Sequence, residues 1–107
     1  MTTKISVLWV TCPTEESAEE IGRSLLEKKL GACVQIEGPI RSLYPWKGQL
    51  QQDSEWRLWI KTKSSLNTEI IQEICQLHPF EVPQILSMPI GQALPAYEKW
   101  LLEQTKD

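Results

Sequence analysis

The side chains with the softest donor atoms in this chain are three cysteines and a single histidine: Cys12, Cys33, Cys75 and His78. Thiolate and imidazole donors suit soft or borderline metals such as Cu(I), Cu(II) and Zn(II). No pair of them stands at a diagnostic ligand spacing. The same residues equally suit small buried hydrophobes and, for His78, a hydrogen-bonded helix terminator. An odd number of cysteines without a CxxC pair fits reduced thiols better than a disulfide framework. Near His78 lies an acid, Glu81, in "HPFEVPQILSMPIG" (78–91), flanked by Pro79 and Pro83. Proline presets backbone angles and so lowers the ordering cost of a site built there. Glu55 and Glu81 could serve acid-base chemistry, but nothing in the sequence holds them as a pair. No GxSxG, P-loop or HExxH occurs, and no enzyme is expected.

These groups need elements to position them. "ISVLWVTC" (5–12) is apolar on both alternating faces apart from Ser6 and Thr11, which predicts a central strand. Thr14 then predicts an N-cap, with Glu15 and Glu16 in the first turn. Ala18, Ile21, Gly22, Leu25 and Leu26 form the stripe of that helix, and Gly31 is its expected stop. A hairpin is predicted from about residue 33 to 62, interrupted at Gly38-Pro39, with turn chemistry in "PWKGQ". Its second strand places Trp56, Leu58 and Ile60 on one face and Glu55, Arg57, Trp59 and Lys61 on the other. Trp59 should meet a neighbour's aliphatic stem or another subunit. Ser64 or Ser65 is expected to cap a second helix carrying Leu66, Ile70, Ile74 and Leu77, which Pro79 ends. "PQILSMPI" reads as a short edge strand. Pro95 opens a last helix with Tyr97, Trp100, Leu101 and Gln104 on one side.

The order β-α-β-β-α-β plus a helix predicts one domain over residues 1–107. Its class is α+β, of the ferredoxin-like plan, an antiparallel sheet with helices on one face. Chain direction then brings Cys12, Cys75 and His78 to one end of the sheet as a candidate metal cluster. Cys33 goes to the other end, where it reads as core. The second sheet face has no helical cover, so association is expected there. Five tryptophans against two tyrosines and one phenylalanine point the same way, because indoles are favoured at interfaces. A closed homo-oligomer is expected. A net charge of -3 without basic runs argues against nucleic-acid binding. The apolar run near the N-terminus is too short for a membrane span or a signal core, which makes the cytoplasm the expected compartment.

Several stretches together carry a resemblance: "VTCPTEESAEEIGRSLLEKKLGACV", "IRSLYPWKGQLQQDSEWRLWIKT", "LHPFEVPQILSMPI" and "YEKWL". Along essentially its whole length the chain resembles the CutA family of divalent-cation tolerance proteins. The resemblance implies a cytoplasmic homotrimer of ferredoxin-like protomers, similar in plan to the PII signalling proteins. It implies tolerance to copper or another divalent metal ion, with no established enzymatic activity and no organic cofactor. It also implies clefts between protomers lined by Trp46, Glu55, Lys61, His78 and Glu81. Phe80 stands where tyrosine is usual, which excludes a phenol there. The 78–83 segment is then either a polar pocket for a metal or small anion, or a rigid connector. In the second case His78 and Glu81 would satisfy backbone groups or pair with Lys61. Two alternatives to metal binding stay open: a PII-like module binding a small molecule at the clefts, and a platform for a partner protein.

Overall fold

The computed structural model describes residues 4–107. Four strands form one antiparallel sheet in the order β2-β3-β1-β4: β1 (Ile5–Cys12), β2 (Cys33–Trp46), β3 (Gln49–Lys63) and β4 (Ile85–Pro89). Helices α1 (Glu15–Glu27) and α2 (Asn67–Leu77) cross one face, and α3 (Pro95–Gln104) follows β4. The predicted order of elements is the observed one.

The inner face holds the core. Leu8, Val10 and Cys12 of β1 and Leu58 and Ile60 of β3 pack with Ala18, Ile21 and Leu25 of α1 and with Ile70 and Ile74 of α2. Each valine, leucine and isoleucine among them contributes about 1.5–3 kcal/mol by leaving water. Thr14 caps α1 as predicted, its hydroxyl accepting from the Ser17 amide at 3.1 Å.

Three local expectations need correction. Leu26 lies off the stripe of α1 and is 42% exposed. α1 closes at Lys29 rather than at Gly31. Lys29 takes φ 57°, while the Lys29 amide donates to Leu26 O at 3.1 Å and the Leu30 amide to Leu25 O at 2.9 Å. That is the Schellman closure, with lysine in the left-handed position that glycine usually takes. α2 has no serine cap. Residues Ser64–Leu66 form a 3-10 turn first, and the cap position falls on Leu66.

The hairpin turn is narrower than expected. Lys47 and Gly48 alone make it, at φ 52° and 79°, the two positive angles of a type I′ loop. Pro45 belongs to the strand and faces Leu50. Between Glu37 and Ile40 the register shifts, so Gly38 and Pro39 together oppose Trp56. The Gly38-Pro39 peptide is cis. A Cβ on Gly38 would lie 2.6 Å from Trp56 Cδ1, so this bulge lies directly against the indole.

The outer face is covered only at one end. Trp59 meets Trp9 edge to face, with centroids 5.1 Å apart, and its Nε1 donates to Glu37 at 2.9 Å. Its partner is thus another indole of the same chain rather than an aliphatic stem. α3 reaches this face too, where Lys61 Nζ stands 5.8 Å from the Tyr97 ring centroid. The face is therefore not wholly without a helix. The tail is tied down where the Lys106 amide donates to Lys29 O at 2.8 Å and Lys106 Nζ to Glu69 at 2.6 Å.

Candidate functional site

A pocket of about 730 Å³ opens at the junction of three segments: the end of β1, the far half of the β2-β3 hairpin, and the connector after α2. The bulge at Gly38-Pro39 decides what the hairpin brings to it. Before the shift, odd residues of β2 pair with odd residues of β3. After it, Ile40 pairs with Glu55, Ser42 with Asp53, Tyr44 with Gln51 and Trp46 with Gln49. Paired residues share a face, so Tyr44 and Trp46 come to the side of Glu55.

Glu55 is 8% exposed and lines the pocket. Among the described residues it has no hydrogen-bond or ion-pair partner. Tyr44, Trp46 and Phe80 supply aromatic walls, and Glu81 a second carboxylate. The Tyr44 hydroxyl donates to the Asp53 carboxylate, which holds the ring in place. That bond, with the nearby negative charge, also raises the phenol above its usual pKa.

Pro79 and Pro83 shape the connector as their preset angles suggest. α2 stops at Leu77, and His78 is extended at φ -74°, ψ 136°. The His78 ring is buried and fully used. Nε2 donates to the Thr11 carbonyl at 2.7 Å, and Nδ1 accepts from the Phe80 amide at 3.0 Å. The ring therefore clamps the connector to the end of β1 and sets Phe80 beside itself, with centroids 5.1 Å apart. In this protomer His78 satisfies backbone groups rather than presenting a free ligand nitrogen.

The expected metal triad does not close. Cys12 lies in the core with its thiol pushed up to about 11, chiefly by burial. A hydrogen bond with Ser17 pulls the other way, and the charge of Glu55 adds a smaller upward push. The Cys12 side chain is fully enclosed, with no accessible surface in this protomer. Cys75 is exposed on α2. Among the described residues no group of three or more His, Cys, Asp or Glu converges on a point that could hold a metal ion. Cys33 is not in the core as expected. It is half-buried, and its register opposite Lys61 puts it on the outer face.

Of the five expected cleft residues, Trp46, Glu55 and Glu81 line the pocket, and His78 stands behind it. Lys61 does not belong to it. It is six residues along β3 from Glu55, about 20 Å at the rise of an extended strand. Among the described residues of one protomer its lining includes no lysine or arginine. Tyr44, Thr11 and Gln84 were missed as lining residues. Tyr44 could have been found, since it opens the same "YPW" run as Trp46. A second hollow of about 280 Å³, on the outer face, has the opposite character, with Arg41 and Arg57 beside Trp9 and Gln84.

Residues 6–104 match the model of a family described as CutA1 divalent ion tolerance protein. "Protein CutA" of Mus musculus is 40% identical over 102 residues, 95% of this chain and 58% of that protein. "Divalent-cation tolerance protein CutA" of Thermotoga maritima is 43% identical over 97 residues, 91% of this chain and 95% of that one. The chain thus spans less than two thirds of the mouse relative but nearly all of the bacterial one. The crystal structure of a stable CutA1 from the psychrotrophic bacterium Shewanella sp. SIB1 superimposes with a TM-score of 0.96. It is 30% identical, with 100% of both chains covered.

Proposed function

We propose, because this chain belongs to the CutA1 divalent ion tolerance family, that it serves divalent-cation tolerance as a non-enzymatic homotrimer binding copper or another divalent ion. The family match over residues 6–104 carries this reading. Self-assembly draws support from the hairpin arm, whose Leu43, Trp46 and Leu50 are 64%, 53% and 79% exposed. Leu43 and Leu50 lie on one face of the arm and Trp46 on the other, and exposed apolar groups of this kind favour association. Metal ligation in this reading draws donors from more than one copy, because one protomer's described residues supply no ligand set. Cys75 is the thiol open to a metal, and Cys12 is closed to it. The compartment proposed is the cytoplasm, in keeping with three unpaired thiols. Among the described residues no helix is long and apolar enough to cross a membrane.

The test is a Cu(II) and Zn(II) titration followed by calorimetry and sedimentation on one sample. Saturable binding to a particle of three copies, weakened by Cys75→Ser and unchanged by Cys12→Ser, is expected. Failure of either ion to saturate, or a single-copy particle at micromolar concentration, overturns the reading.

The 730 Å³ pocket favours a second reading, a PII-like module that takes a small molecule near Trp46 and Glu55. A ligand that prefers the native state raises the melting temperature. A metabolite screen by thermal shift, repeated on Trp46→Ala, distinguishes the two. No shift specific to the unsubstituted chain ends this reading.

A further inference from the structure

The connector between α2 and β4, residues 79–84, is tied down by very little. Pro79 and Pro83 have no amide hydrogen to give. Among the described residues, the one hydrogen bond that 79–84 makes runs from the Phe80 amide to His78 Nδ1, at 3.0 Å. The same ring is anchored on its other side, where Nε2 meets the Thr11 carbonyl at 2.7 Å. A carbonyl oxygen only accepts, so Nε2 carries a hydrogen. A backbone amide only donates, so Nδ1 carries none. The two bonds together define one tautomer of the neutral imidazole.

This pair of bonds is sensitive to acid. A proton added to the ring has one place to go, Nδ1, because Nε2 already holds its hydrogen. Two N–H groups would then face each other across the 3.0 Å gap, and the Phe80 bond is lost. The Thr11 bond needs only the Nε2 hydrogen, which the charged ring keeps. We propose that His78 is an acid-released clamp: a proton taken up at Nδ1 frees the Phe80 amide and loosens the 79–84 connector, while the ring stays tied to β1. Because Phe80, Glu81 and Val82 line the 730 Å³ pocket, the clamp fixes that wall at neutral pH and slackens it in acid. The clamp depends on neither reading of the function above.

The other titratable groups at this end of the fold are Cys12 of β1, Glu15 and Glu16 of α1, Glu55 of β3, Cys75 of α2 and Glu81 of the connector. Arg57, opposite Thr11 in the sheet, is engaged by Glu37 at 3.4 Å. Among the described residues none of these groups hydrogen-bonds or ion-pairs with the ring. Carboxylates ordinarily titrate below about pH 5 and thiols above about pH 8. The Cys12 thiol is pushed further, up to about 11. Histidine is the side chain that ordinarily changes charge between those limits, and His78 is the chain's only one.

The experiment follows the full chain, in whatever assembly it forms, by nitrogen-15 NMR from pH 8 to pH 5. With a single histidine the ring nitrogens report one titration, and their shifts identify the tautomer. The protection of the Phe80 amide against exchange, corrected for the intrinsic pH dependence of exchange, is expected to fall about fivefold as the ring charges, the worth of one hydrogen bond. The Leu58 and Ile60 amides, in the covered part of the sheet, should keep theirs. His78→Asn keeps an acceptor one bond from Cγ, where Nδ1 stands, but does not titrate, so its Phe80 amide should show no such transition. A ring that stays neutral down to pH 5, or that charges without change at Phe80, overturns the clamp. Equal loss of protection at Leu58 and Ile60 would mean general acid unfolding and would overturn it as well. Should His78→Asn fail to fold, the ring and amide titrations of the unsubstituted chain decide alone.

Discussion

β3 runs through two regions built on opposite terms. In its second half Leu58 and Ile60 are fully buried under α1 and α2. In its first half Leu50 is largely exposed, and on β2 so are Leu43 and Trp46. Both halves are paired strand for strand with β2, so hydrogen bonding does not distinguish them. What differs is cover. The chain supplies two helices for one half and none for the other. A β-ladder can extend beyond its own core, but its apolar side chains then wait for another surface. The pocket lies where the two regions meet, with a buried acid from one and an exposed indole from the other.

Four measurements bear on this contrast. Leu58→Ala should show the largest effect, about 3 kcal/mol of lost stability from a cavity in the covered half. Urea unfolding should give that loss at every protein concentration. A loss near zero would mean that the helices do not enclose this half. Next comes His78→Ala, which strands the Thr11 carbonyl and the Phe80 amide and should cost about 1–3 kcal/mol. The same unfolding series reads it, and rescue by a residue that restores only one bond should be partial.

Leu50→Ser should change the stability of the protomer itself by less than about 0.5 kcal/mol. It should nonetheless weaken self-association in sedimentation equilibrium, because the arm loses an apolar contact. An unchanged association constant would show that Leu50 is simply solvated and the contrast overstated. The smallest effect concerns Glu73, which accepts from Lys28 at 2.6 Å and from Ser24 at 2.8 Å. The Lys28 hydrogen bond chiefly holds its carboxyl below the usual value of 4.5. A lowered folded-state value means that the folded form binds protons less readily than the unfolded one. Its stabilisation is therefore present above the unfolded value and lost as pH falls through the folded one. The gap between the native chain and Glu73→Gln should close on acidification, and a gap that widens would reverse the assignment.

Much of the fold was legible because local chemistry and tertiary outcome agree. Thr14 before Glu15 and Glu16 marks a helix start in any context, and Pro95 does the same for α3. The alternation of Trp56, Leu58 and Ile60 needs only a sheet with one wet side. The site was legible in part. Trp46, Glu55 and Glu81 came from stretches that resemble a family, and they do meet at one pocket. Lys61 came from the same resemblance and stands elsewhere in the protomer, above Tyr97. Cys33 was read as core from its apolar neighbours, but which face it takes depends on its pairing with Lys61.

The sequence by itself determined the elements, their order, the helix-facing stripes and the family, because each follows from periodicity, capping or motif over short spans. Only the tertiary structure decided the rest. Two residues opposite Trp56 instead of one turn Tyr44 and Trp46 toward Glu55, and a one-residue change of register reverses every side chain beyond it. No local pattern announces such a shift. The same holds for His78, whose ring is used up by Thr11, 67 positions away in the chain. Whether a donor atom is free depends on what folds against it.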